Sequence, residues 1–191
     1  MSKQTRRALA WKILKNWRFI LVVMAVSLFL LQNKTHRIQG ESMFPSLAEG
    51  DYILVNKRNT PTRYAMVIID PEIPRETSYV KRVIGMPGDE LAVEQNVVYL
   101  QSKEAKRTGL TLTDRSFASE LPDSLQKFDV TDEVARNLRR LGKIPDDCYF
   151  VLGDNRQKSK DRRQFGLIRA SQIKGMVIYR YYPFDKIGNV Q

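Results

Sequence analysis

The chain has 191 residues, a formal net charge of +11 at pH 7, one cysteine and one histidine. That length suffices for one well-cored domain with a small appendage. One Cys and one His exclude an internal disulfide and a His/Cys metal cluster, and a Ser-His-Asp triad could use only His36. No metal or other cofactor is expected. The charge is uneven: residues 1–40 carry +8 and no acid, whereas 41–191 hold 24 basic against 21 acidic residues. A basic terminus beside an apolar run points to membrane lipids as a partner and away from nucleic acid.

The first element is apolar from Phe19 to Leu31 except for Ser27. Those thirteen residues would rise only ~20 Å as a helix, short of a ~30 Å hydrocarbon core. Counted from Trp11, with Lys12, Lys15 and Arg18 snorkelling, the helix gains twenty-one residues and ~32 Å. Trp11 and Trp17 suit the interface. Leu31 is followed by Gln-Asn-Lys-Thr-His-Arg, with no Ala-x-Ala-like cleavage site, so a retained transmembrane anchor is expected rather than a cleaved signal. Six basic residues precede Phe19 and two follow Leu31 within the terminal region. The positive-inside rule then makes residues 1–34 a cytoplasmic N-terminus plus anchor, and 35–191 an extracytoplasmic domain.

Beyond the anchor, short apolar runs bounded by turn residues predict strands over 52–56, 66–70, 79–84, 90–93, 97–101, 149–152 and 175–180. Met86-Pro87-Gly88-Asp89 reads as a type II turn, with Pro presetting one central residue and Gly accepting positive φ at the other. Residues 103–145 are polar and read as an inserted lobe on the β-body. Their helix begins near Thr131, carries Asp132 and Glu133 in its first turn, presents Val134, Leu138 and Leu141, and stops at Gly142. Cys148 opens an apolar run and is expected as a buried core thiol.

Four stretches carry the chemistry: Gly40-Glu-Ser42-Met43-Phe-Pro45, Gly50-Asp51-Tyr-Ile-Leu-Val55-Asn-Lys57, Tyr79-Val-Lys81-Arg82-Val-Ile-Gly85-Met-Pro87-Gly88-Asp89, and Gly153-Asp154-Asn155-Arg156 running to Gly166. They set a serine beside a turn-forming proline and a lysine inside an apolar strand. A serine hydroxyl attacks poorly until a base takes its proton, and a lysine can do so only when neutral. Tyr79, Val80, Val83 and Ile84 around Lys81 would supply the desolvation that disfavours an ammonium, with Arg82 on the opposite strand face.

In this order the stretches resemble type I signal peptidases, the membrane-bound serine proteases that cut signal peptides from exported proteins. The resemblance runs over roughly 38–191, interrupted by 103–145, and includes the final segment from Gly175 to Gly188. It implies a mostly β fold built around a coiled antiparallel sheet, here with a small inserted α/β lobe and one N-terminal transmembrane helix. It implies Ser42 as nucleophile and Lys81 as general base, Ser159 orienting the amine, and Asp161 paired with Arg163 beneath the site. Ile38, Met43, Leu47, Tyr79 and Val80 would line shallow pockets that admit only small residues before the cut. Secretory preproteins with such residues are then the substrates, at the bacterial cytoplasmic membrane. Two positions depart from the family pattern: Arg162, where a small residue is usual, and Gly40, where some members carry a serine that helps hold the oxyanion. Two alternatives stay open, a related peptidase that matures conjugative pilins and a non-catalytic membrane-tethered domain that binds peptide.

Overall fold

The computed structural model describes residues 16–58, 60–72, 77–103, 125–155 and 166–190. The chain divides into two compact units, Met1–Lys34 and Thr35–Gln191. In the first, helix α1 (Trp17–Gln32) buries none of its side chains. Its end is closed by Asn33, whose Nδ2 donates to the Phe29 carbonyl at 2.9 Å as the backbone turns extended. Among the described residues no helix is long and apolar enough to cross a membrane. The expected span begins at Trp11, and residues 11–15 lie outside the described ones.

The second unit is mostly antiparallel β. Ten strands are described: β1 (Asn33–Arg37), β2 (Tyr52–Asn56), β3 (Met66–Ile69), β4 (Tyr79–Gly85), β5 (Glu90–Glu94), β6 (Val97–Gln101), β7 (Leu125–Asp129), β8 (Cys148–Leu152), β9 (Leu167–Arg169) and β10 (Ile173–Tyr182). Seven form one sheet in the order β1-β2-β10-β3-β4-β8-β9, and β5-β6-β7 form a second. The ten-residue β10 bridges the first sheet, pairing with β3 at one end and β2 at the other, with register shifts along its length. Gly88 at φ +84° and the Asp89 N–H to Met86 carbonyl bond at 3.1 Å make the predicted turn between β4 and β5.

Three expectations change. β1 (Asn-Lys-Thr-His-Arg) has no apolar alternation, and the sequence pattern predicts no strand there; β9 has three residues and β7 lies in a polar tract. The segment read as a lobe from 103 contributes β7 and helix α2 (Asp132–Leu138), but its sheet starts at Glu90. It is an extension of the β5–β6 hairpin, with α2 packed on β5. The helix starts where expected, with the Thr131 hydroxyl accepting from Val134 N–H. It ends at Leu138 rather than near Gly142, because a tighter Leu141 N–H to Leu138 carbonyl turn closes it first. Ile84 of β4 and Phe150 of β8 join the core of this second sheet, so the two sheets share buried side chains.

Candidate active site

Ser42 sits in a turn between β1 and β2 that is tied off at its base. Ile38 N–H donates to the Asp51 carbonyl at 2.8 Å, and Gly50 N–H returns to the Ile38 carbonyl at 3.0 Å. Inside it, Phe44 N–H meets the Glu41 carbonyl at 3.1 Å and Leu47 N–H meets the Met43 carbonyl at 2.9 Å. Met43 and Leu47 are fully buried and draw the turn onto the sheet, while Ser42 itself stays half-exposed. A residue that must attack a substrate needs that combination of a fixed backbone and a reachable hydroxyl.

Lys81 lies in the middle of β4, opposite Val67 of β3, and is 2% exposed. On the other side β4 pairs with β8, whose last ladder pair is Arg82 with Leu152. The next residue, Gly153, brings the two elements together. A Cβ at Gly153 would stand 2.6 Å from the Ser42 carbonyl oxygen and 3.6 Å from Lys81 Nζ. The chain then turns so that Asn155 N–H donates to the Ser42 carbonyl at 3.1 Å and Asn155 Nδ2 to the Glu41 carbonyl at 3.0 Å. The serine turn is thus stitched to the end of β8 beside a buried amine.

Arg82, next to Lys81, emerges on the opposite pleat face and engages Asp154 in a two-pronged ion pair, Nε to Oδ1 at 2.8 Å and Nη2 to Oδ2 at 2.7 Å. The same guanidinium donates to the Tyr64 carbonyl at 2.7 Å and to Ser46 Oγ at 3.3 Å. The strand bearing Lys81, the turn after Gly153 and the turn bearing Ser42 therefore meet on one arginine. The strand pattern places Arg82 on the other face but does not give it this partner; Asp154 directly after Gly153 is the available signal.

Of the residues expected to line substrate pockets, Ile38, Met43, Leu47 and Val80 lie in one buried cluster, at 0–7% exposure. Tyr79 is half-buried and packs instead against the cluster of Val67, Ile69 and Val83, on the other face of β4. Ser159, Asp161, Arg162 and Arg163 lie outside the described residues. Cys148 packs against the core of the second sheet but is half-buried rather than fully buried, with Sγ donating to Asp147 Oδ1 at 3.4 Å. Burial, reinforced by that bond and by the Asp147 charge, pushes its thiol pKa up. Among the described residues no group of three His, Cys, Asp or Glu side chains could hold a metal ion.

Comparison with known proteins gives a consistent result. The profile of the family described as "Signal peptidase, peptidase S26" matches residues 11–182. Signal peptidase I of Bacillus caldolyticus is 35% identical over 190 residues, covering 97% of each chain. Signal peptidase IB of Staphylococcus aureus (strain Mu50 / ATCC 700699) is 32% identical over 192 residues, covering 92% of this chain and 93% of the relative. A crystal structure of a signal peptidase I from Enterococcus faecalis V583 matches at 23% identity and a TM-score of 0.36, over 62% of this chain and 97% of that one. With nearly the whole chain matched by the family profile and the two relatives, the protein belongs to the signal peptidase family, peptidase S26, and is a serine endopeptidase.

Proposed function

We propose that this protein removes signal peptides from exported preproteins, with Ser42 as nucleophile and Lys81 as general base. The observation that carries the assignment is the convergence at Gly153, where one point lies within 3.6 Å of both the Ser42 main chain and the Lys81 amine. Burial of Lys81 to 2% exposure favours the neutral amine, the form able to accept a proton. Ser42 Oγ attacks the scissile carbonyl as its proton passes to Lys81 Nζ. The tetrahedral adduct collapses, Lys81 returns the proton to the departing amine of the mature protein, and the signal peptide is left as an ester on Ser42. Water, deprotonated by the same amine, hydrolyses the ester. The resemblance assigns Ser159 to orienting the amine and the Asp161–Arg163 pair to supporting it.

The proposal extends to place and substrate. The apolar side chains of α1, from Phe19 at 70% to Leu31 at 72% exposure, support a helix embedded in the bilayer. The basic N-terminus supports a cytoplasmic start, leaving residues 35–191 extracytoplasmic. The resemblance assigns Ile38, Met43, Leu47, Tyr79 and Val80 to shallow apolar subsites for small residues before the cut; of these, Ile38, Met43, Leu47 and Val80 pack as an apolar floor at 0–7% exposure.

The test is cleavage of a preprotein with an Ala-x-Ala site, in detergent and with a chelator present, by wild type, Ser42→Ala and Lys81→Ala. Activity in wild type and its loss in both variants is expected. Survival of cleavage in either variant removes that residue from its role. Inactivity of all three towards this substrate shifts the reading to pilin maturation or to a peptide-binding domain.

A further inference from the structure

We propose that Arg180, far from Ser42 in sequence, is a positioning residue for the nucleophile turn; this rests on reading Ser42 as the nucleophile. Arg180 lies near the end of β10. Its Nη1 donates to the Ser46 carbonyl at 3.1 Å and to Asp51 Oδ2 at 3.0 Å. Asp51 is 3% exposed, and the same Oδ2 accepts from Ala48 N–H at 3.0 Å. One guanidinium nitrogen therefore fixes both the middle and the far end of the turn that begins at Ser42.

The arginine is itself anchored. Its Nε donates to the Lys186 carbonyl at 2.7 Å, and its backbone exchanges two hydrogen bonds with Gly188, at 2.8 and 3.0 Å. The planar fork of an arginine holds such acceptors in a fixed mutual geometry that a lysine point charge does not reproduce. Ser46 is then gripped from two sides, at its hydroxyl by Arg82 and at its carbonyl by Arg180. Each arginine is backed by a largely buried aspartate, Asp154 and Asp51 respectively. The turn hangs between two sheet strands, β4 and β10, so the C-terminal segment after Tyr182 takes part in setting where Ser42 Oγ points.

A comparable pair provides the control. Arg63 and Asp89 form a similar ion pair, at 2.7 and 2.9 Å, that fastens the β4–β5 turn in place of the serine turn. The experiment uses the full chain in detergent with an Ala-x-Ala preprotein. It measures kcat, KM, thermal midpoint and the rate at which a serine-directed acylating reagent labels Ser42. In Arg180→Gln, kcat and the labelling rate should fall together by about 10–100-fold with KM within about twofold, as expected for a misplaced nucleophile. Arg180→Lys, the milder change, should recover part of that loss. Arg63→Gln should lower the midpoint by a similar amount and leave kcat within about threefold of wild type.

The proposal is overturned if Arg180→Gln and Arg180→Lys label and cleave at wild-type rates. It is equally overturned if activity in the Arg180 and Arg63 variants simply tracks the midpoint. A Ser42→Ala variant that still cleaves would sink the nucleophile assignment instead, which keeps the two failures separate.

Discussion

The carbonyl oxygen of Ser42 lies 2.6 Å from the point where Gly153 would carry a Cβ. No ordinary side chain tolerates that approach, because the obstacle is backbone fixed by the Asn155 N–H bond to the same carbonyl. The absence of a side chain at 153 is what lets the serine turn lie against the end of β8, beside Lys81.

Gly153→Ala is accordingly expected to act on catalysis more than on folding. The methyl must push the Ser42 peptide or the 153–155 turn aside, and a displacement near 1 Å at a nucleophile costs about 10²-fold in rate. Steady-state kinetics alongside a far-UV circular dichroism melt decides it. A variant with wild-type kcat would mean that the serine turn relaxes freely and that its contact with β8 is incidental.

Arg82 and Asp154 join β4 to that same turn with their side chains 13% and 15% exposed. Removing one partner leaves the other's charge poorly compensated, so Arg82→Met or Asp154→Leu alone should lose about 3–5 kcal/mol in urea titrations. The double variant should lose less than the sum of the singles, since neither charge remains to be stranded. Equal losses that simply add would show two independent contacts in place of one clamp.

Local signals in the chain reach some of this architecture and stop short of the rest. The apolar strands, from Ile53 and Val55 in β2 to Phe150 and Val151 in β8, announce themselves because alternate or continuous burial leaves a readable pattern. Asn33–Arg37 does not, because an edge strand of polar residues is held by its neighbour and not by a buried face. Thr131 is legible as a helix cap because capping is a contact within three residues. The Ser42 and Lys81 stretches stand out as motifs. Arg82 with Asp154, and Arg180 with Asp51, span 72 and 129 residues, and no periodicity marks which acid a given arginine will meet. Asp89 makes the same point: read as a turn residue, it is 1% exposed and accepts from Arg63, Met86 N–H and Lys103 N–H.

Cys148 supplies a pH prediction. Its raised pKa keeps the thiol protonated through neutral pH, so alkylation by iodoacetamide should be slower than for a free thiol. The rate should climb only at pH above the ordinary thiol value. The sign for stability follows: a raised folded-state pKa contributes fully below the unfolded pKa, and that contribution is lost as pH rises through the folded value. Cys148→Ser should therefore flatten the alkaline limb of the stability profile. Rapid alkylation at pH 7 would contradict the shift.

Lys81 separates stability from function most sharply. At 2% exposure its side chain fills space between β3 and β8 that a methionine of similar length fills equally well. Lys81→Met should therefore keep more stability than Lys81→Ala, while cleavage falls to background. Lys81→Ala should also be inactive, but it should lose about 2–4 kcal/mol, because truncation leaves a cavity between β3 and β8. Denaturant titration of the three proteins, with a preprotein assay on each, reads both quantities. A Lys81→Met protein that is inactive and also destabilised as much as Lys81→Ala would mean that the amine holds the site together, and would weaken its assignment as a base kept neutral by burial.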